Sequence, residues 1–266
     1  MSLKNLFKRN SHNLLFKGLS GFGRSMHRIY ENRNHNPHSN GEKTIIKKIS
    51  TTDPKVIIDG GANTGTYSKL LNSFNPECLI YSFEPVDTTY EKLKANTNDL
   101  VNVYPIKKGL FHKKTNKKIN IYESSTHASI FDIRGNNLQQ QKTENIKLVK
   151  GDHFLDRHRI DTLDFLKLDI EGADFDAVKG FEKSISDQKI RIIQFEYGYI
   201  NITTKNLLID FYSFFNKHGY VVGKIFPRKV KFRPYKYKYE DFIGPNFVAV
   251  HESDREMINL LGSRNP

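Results

Sequence analysis

The chain has 266 residues, with 42 Lys and Arg against 29 Asp and Glu, a formal net charge of +13 at pH 7. One cysteine, Cys78, excludes a disulfide framework and suits a reducing compartment. No apolar run approaches the ~20 residues that span a bilayer, and no signal-peptide core is present, so a soluble, cytoplasmic protein without a transmembrane segment is expected.

In chain order, residues 1–40 read as a basic leader and linker, and residues 41–266 as one α/β domain. Residues 3–30 look amphipathic, with Leu3, Leu6, Phe7, Leu14, Leu15 and Leu19 set among basic residues. Packing against the domain is expected, because Gly18, Gly21 and Gly23 weaken a long surface helix; weak contact with an acidic membrane is the alternative. Residues 31–40, ENRNHNPHSN, read as a polar linker, and His35 and His38 have no Cys or acid at metal-ligand spacing. A short helix over 42–49 then leads into a regular alternation of strand and helix.

Lys55–Gly65, KVIIDGGANTG, organises that alternation. Val56, Ile57 and Ile58 predict a strand covered on both faces, which ends at Asp59 in a turn containing Gly60, Gly61 and Gly65. Helical spacing follows from Tyr67. A strand, a glycine turn and a helix build a small-ligand site at the carboxyl end of the strand. The turn lacks the third glycine of G-x-G-x-x-G and any G-K-[ST], so phosphate cradling is not its best reading. Tyr81–Pro85, YSFEP, supplies a second acid, Glu84, 25 residues after Asp59 and close to the ~20 at which an acid meets ribose hydroxyls.

The predicted series continues with strand 78–84, helix 86–97 and strand 101–106. A β excursion over 109–161 follows, with strand-like pieces at 117–123 and 145–150. Strand 163–169, helix 174–186, strand 189–196, helix 203–218 and paired strands near 220–226 and 245–251 complete it. Such an order means a mostly parallel sheet between helical layers. Asp164–Asp174, DFLKLDIEGAD, and Arg191–Glu196, RIIQFE, both finish strands on acids. Asp59, Glu84, Asp169 and Glu196 therefore line one crevice, and their repulsion calls for a cationic ligand, a divalent metal or a general base.

These segments, with Leu93 and Asn96 after YSFEP, with Val178, Lys179 and Gly180 after DIEGAD, and with IIQFEYG, resemble the FkbM-type methyltransferases that use S-adenosylmethionine (SAM). The likeness spans about residues 40–250. It implies a Rossmann-like class I methyltransferase sandwich, with a mostly parallel seven-stranded sheet and an antiparallel last strand. It places Asp59, Gly61, Asn63 and Gly65 around the methionine part of SAM, Glu84 with Pro85 at the ribose, and Asp169 beside the transferable methyl. Asp169, Glu196 and Glu171 form the expected catalytic group, with Asp169 or Glu196 as base or acceptor-orienting residue and His127 as an outside candidate. Gly60 stands where the family often has Val, and Asp174 where Glu is usual. Ser124–Ser129 is the weaker match, near the adenine or acceptor.

Two points stay open. Asp169 with Glu171 can be read as a Mg²⁺ site, and Lys167 as an ion-pair partner of Glu171 or Glu196. The expected activity is O-methylation of a sugar or glycan precursor. The Lys224–Lys238 cluster, with Arg228, Lys229 and Lys231, suggests an anionic acceptor. An RNA methyltransferase using the basic patches and a non-catalytic SAM- or nucleoside-binding module are the alternatives. The absence of N-P-P-Y or D-P-P-Y where DIEG stands argues against a nucleic-acid partner. Oligomeric state is not encoded legibly.

Overall fold

A computed structural model describes residues 3–9, 11–122, 128–133 and 140–264. Two N-terminal helices, α1 (Leu3–Arg9) and α2 (Leu14–Tyr30), precede α3 (Glu42–Ser50). Next come β1 (Val56–Gly60), α4 (Thr66–Phe74), β2 (Leu79–Phe83), α5 (Asp87–Asn96) and β3 (Val103–Ile106). The β excursion comprises β4 (Gly109–Phe111), β5 (Thr115–Tyr122), β6 (Ala128–Ser129) and β7 (Gln140–Lys150). Alternation resumes with α6 (Gly151–His158), β8 (Leu163–Leu168), α7 (Asp174–Gly180), α8 (Glu182–Ser186) and β9 (Ile190–Glu196). It ends with α9 (Ile200–Thr204), α10 (Leu208–Lys217), β10 (Tyr220–Phe226), β11 (Lys229–Phe232), β12 (Asn246–His251), α11 (Arg255–Leu261) and β13 (Gly262–Arg264).

The main sheet runs β13-β11-β10-β12-β9-β8-β1-β2-β3. β3, β2, β1, β8 and β9 are mutually parallel, and β12 is antiparallel to both β9 and β10. The expected α/β sandwich with an antiparallel last strand is therefore present. It has nine strands rather than seven, because β11 folds back on β10 and β13 pairs with β11. The excursion is a separate four-stranded sheet, β4-β7-β5-β6.

Period-two alternation sorts the buried strands into two cores. Ile57, Phe165 and Ile192 pack with α3, α4 and α11 on one face. Ile58, Leu166 and Ile193 pack with α7, α8 and α10 on the other. The helix expected over 174–186 is broken at Phe181, and Gly180 before the break sits where a Cβ would lie 2.2 Å from the Phe111 carbonyl oxygen. That approach ties α7 to β4. The helix expected over 203–218 is divided by Lys205, held at φ 58°.

The N-terminal region differs most from expectation. No residue of α2 is buried, so the helix does not pack its apolar side on the domain. Residues 31–40 are not a free linker. The buried Glu31 carboxylate lies 2.9 Å from Lys224 Nζ and 3.5 Å from Arg233 Nη2. Asn32 Nδ2 donates to the carbonyls of Asn40 and Ile225, at 2.8 and 3.0 Å. Burial pushes the Glu31 carboxyl up, but Lys224 and Arg233 outweigh this and hold it below its usual value. The segment is thereby strapped over the carboxyl end of β10, on the edge of the sheet where the predicted site lies.

Candidate functional site

At the end of β1 the chain must pass between its two neighbours. Gly61 N–H and Ala62 N–H both donate to the Phe83 carbonyl, at 3.0 and 2.9 Å. Gly61 has φ 78°, and a Cβ there would lie 1.9 Å from the Asp169 carbonyl oxygen, so only glycine fits. Asn63 takes φ 50°, a conformation asparagine tolerates. The loop is thus stapled to β2 on one side and pressed against the end of β8 on the other.

Glu84 anchors the loop from β2. Its carboxylate accepts from Asn63 N–H at 3.1 Å and from Val86 N–H at 2.9 Å. Burial raises its pKa to about 7 despite these two donors.

Asp59 is fully buried and lies under the loop, not in the crevice. Its Oδ2 accepts from Ser68 Oγ at 2.7 Å, and its Oδ1 lies 3.2 Å from Lys167 Nζ. Lys167 is therefore paired with Asp59 and, at 3.6 Å, with Asp169, and not with Glu171 or Glu196. The reason is register: Asp59 and Lys167 are direct partners on adjacent parallel strands, so their side chains share a face. Burial acts to lower the Lys167 pKa, but Asp59, Asp169 and Glu42 outweigh it and raise the value above that of free lysine. The Tyr67 ring lies under the ammonium, 4.8 Å away.

A cavity of about 700 Å³ opens over these strand ends. Of the predicted cofactor residues, Gly61, Asn63, Glu84 and Pro85 line it, whereas Asp59 and Gly65 support the loop from behind. Asp169, Glu171 and Glu196 line the opposite side. Phe83, Leu110, Phe111 and Ile146 add an apolar wall, partly from the small sheet. Of the expected segment 124–129, Ser124, Ser125, Thr126 and His127 lie outside the described residues. Ser129 donates from Oγ to the Glu171 carbonyl at 2.7 Å.

The acidic side is electrostatically crowded. Glu171 is raised to about 8, by burial first and then by Asp169 and Asp174. Asp174 is raised to about 7 by burial and by Asp169, although it accepts from Glu196 N–H and Gly172 N–H, each at 3.3 Å. Glu196 rises well above the usual carboxylate range, through burial and the charges of Asp169, Glu171 and Asp174. Asp174 thus pins the β8–α7 turn to β9, while Glu171 and Glu196 face the cavity, Glu171 largely protonated near pH 7. Among the described residues, no three His, Cys, Asp or Glu are arranged to hold a metal ion. The Mg²⁺ reading of Asp169 with Glu171 finds no such cluster there.

Three lining residues escaped the sequence reading. Glu42, at the start of α3, accepts from Asn40 Nδ2 and Gln194 Nε2, both at 2.6 Å. Arg33 and His35 reach the mouth from the strapped segment. The Arg33 guanidinium lies 4.9 Å from the Tyr199 ring centroid, and His35 Nδ1 lies 3.6 Å from Glu196 Oε1. By contrast, the Lys224–Lys238 cluster is dispersed: Lys224 is buried against Glu31, Arg233 stacks on Tyr239, and Arg228 and Lys229 are exposed outside the cavity lining.

The family profile "Methyltransferase FkbM domain" matches residues 59–222, from the acid under the glycine loop to β10. The chain belongs to the FkbM methyltransferase family. Within the reach of this FkbM domain lie all four strand-end acids. A curated relative, "Hexuronic acid methyltransferase AglP" of Haloferax volcanii, is 23% identical over 167 residues, 59% of this chain and 64% of its own length. A crystal structure of Methyltransferase FkbM from Methylobacillus flagellatus matches at 17% identity with a TM-score of 0.47, covering 74% of this chain and 44% of that one. A putative rRNA methylase from Clostridium thermocellum matches at 11% identity and TM-score 0.46, covering 80% of this chain and 95% of that one. The chain thus spans less than two thirds of the curated relative and less than half of the FkbM structure.

Proposed function

We propose that this protein is a SAM-dependent O-methyltransferase acting on a hydroxyl of an anionic sugar, such as a uronic acid in a glycan precursor. The observation that carries the reading is the convergence of the glycine loop, Glu84 and the acidic group Asp169–Glu171–Glu196 on one cavity. Its volume falls within the ~300–1,000 Å³ range of small-ligand sites. The donor set fits SAM: Gly61 allows close approach, Asn63 and Glu84 offer polar groups at the loop, and the acidic side suits a cation. Gly61 and Asn63 would hold the methionine part and Glu84 the ribose hydroxyls. When bound, SAM supplies an electrophilic methyl on a sulfonium.

The chain's own residues then have separable tasks. Asp169, whose charge is offset by Lys167, is the proposed base or orienting group for the acceptor hydroxyl, a role typically contributing ~10²–10⁴-fold. Glu196, whose carboxyl is raised well above the usual range by burial and by Asp169, Glu171 and Asp174, is the proposed second acceptor-orienting group. The apolar wall excludes water. Arg33 at the mouth is the proposed partner of an acceptor carboxylate, replacing Arg228, Lys229 and Lys231, which lie away from the cavity. The relative's description as a hexuronic acid methyltransferase supports this acceptor class. A nucleic-acid acceptor is disfavoured because Arg228, Lys229 and Lys231 do not border the site. A cytoplasmic location accords with Cys78, a buried thiol that burial holds at about 12.

The test is calorimetric titration with SAM and S-adenosylhomocysteine, followed by methyl transfer to uronic and neutral glycosides. Glu84→Ala should weaken both nucleosides by about 1–3 kcal/mol, the cost of unmet hydrogen bonds. Failure of the native protein to bind either nucleoside would overturn the reading.

A further inference from the structure

Helix α2 is 17 residues long, and none of its residues is buried. Leu15, Leu19, Phe22, Met26 and Ile29 follow one another at i, i+4, i+7, i+11 and i+14, so they form a single stripe. Each is between 45% and 72% exposed. Lys17, Arg24 and Arg28 occupy the opposite side. The Phe7 and Phe16 rings meet edge-on at 5.5 Å, joining α1 to the start of α2. Residues 1–30 hold six Lys or Arg, among them Lys8 and Arg9 in the last turn of α1, and no Asp or Glu.

Asp241 of the domain lies 3.9 Å from His27 Nε2 near the C-terminal end of α2, off the stripe. The stripe itself, backed by cations on the far side of the helix, has one chemically complementary occupant. We propose that α2 docks on an anionic lipid bilayer, with Leu15, Leu19, Phe22, Met26 and Ile29 at the acyl boundary and its cations among the headgroups. Gly18, Gly21 and Gly23 leave open space beside the helix and weaken it in water, so the interface would also order it. The direction of docking follows from the chain: three positions past Tyr30, Arg33 borders the cavity, and Glu31 is fixed to Lys224. A docked α2 therefore holds the mouth of the site close to the bilayer surface. Vesicle binding is read without SAM or acceptor, so this proposal stands or falls apart from the methyl-transfer reading.

The experiment is co-sedimentation of the full chain with vesicles of phosphatidylcholine, with and without about one third phosphatidylglycerol, at low and high salt. Uptake by the anionic vesicles, released at high salt and about tenfold or more weaker for Arg24→Gln/Arg28→Gln, is expected. Leu19→Glu/Phe22→Glu should abolish it while leaving the thermal midpoint unchanged, since neither side chain is buried. Three results would overturn the proposal. They are retention of the native chain in the supernatant, equal uptake of the Glu variant, or a solution dimer by light scattering that the Glu variant dissociates and that ignores vesicles.

Discussion

Replacing Lys167 by Met tests the electrostatic frame beneath the site. The ammonium is 3% exposed and lies 3.2 Å from Asp59 Oδ1, itself fully buried. Methionine fills a similar volume but removes the ammonium from Asp59, leaving the Ser68 hydroxyl as its hydrogen-bond donor among the described residues. Removing one partner of a buried pair costs about 3–5 kcal/mol, whereas replacing both with neutral groups is often near neutral. Lys167→Met should therefore lose about 3–5 kcal/mol in urea unfolding, and Lys167→Met/Asp59→Asn should recover most of it. With Asp59→Asn as the second single variant, the cycle measures the coupling of the pair, whose side chains are direct neighbours on paired strands. SAM titration of the double variant then reports whether the loop above keeps its shape. A single variant losing less than about 1 kcal/mol, or a double variant no better than the single, would refute the assignment of this pair as the buried support of the loop.

Three further outcomes are expected. Glu171 and Asp174 have folded pKa values of about 8 and 7, above their unfolded values of 4.5 and 3.8. Their protonated forms thus stabilise the fold fully below those unfolded values, and that contribution disappears as pH rises towards 8. The thermal midpoint of the unliganded protein should accordingly fall from pH 5 to pH 8.5, with a smaller slope in Glu171→Gln; equal slopes would count against the crowded-carboxylate account. If the acidic side receives the sulfonium, SAM affinity should rise between pH 6 and pH 8.5 relative to that of S-adenosylhomocysteine, and parallel profiles for the two nucleosides would contradict that placement. Arg33→Gln should raise the KM for a uronic acceptor about tenfold while leaving SAM affinity unchanged, the loss expected for a charge-assisted contact; an unchanged KM would remove Arg33 from acceptor recognition.

The sheet and its strand-end acids were legible because both rest on local signals. Buried parallel strands are continuous apolar runs, and ligands gather where such strands end, so KVIID, YSFE, DFLKLD and RIIQFE locate the crevice unaided. What escaped depends on contacts distant in sequence. Glu31 and Lys224 are 193 residues apart, and their pairing alone turns a polar, linker-like stretch into the wall that carries Arg33 and His35. The same pairing hides Lys224 inside what reads as a surface basic patch. Lys167 could be recognised as covered, but its partner is set by strand register with Asp59, which no spacing within DFLKLDIEG encodes. Gln140–Glu144 looked like polar loop because the first half of β7 belongs to a small sheet with solvent on one side, where polar residues suit a strand. Conversely, the glycines of α2 suggested a helix in need of packing, whereas the structure leaves its apolar stripe open.

The charge arrangement explains why one buried lysine coexists with so many acids. Glu42, Glu84, Asp169, Glu171 and Glu196 border a single cavity, and Lys167 lies beneath it, already shared between Asp59 and Asp169. Burial comes first and Lys167 cannot offset the whole set, so the carboxyls of Glu84, Glu171 and Glu196 retain protons at higher pH than free carboxyls do. Such a site is unfavourable as long as nothing positive enters it, and any ligand bearing a fixed positive charge relieves the repulsion. A cationic donor converted to a neutral product removes that relief, so in the proposed reaction the same carboxylates that favour the donor cease to favour what remains after transfer. Asp169, 42% exposed and the member nearest Lys167, is the group through which binding and proton handling would be coupled.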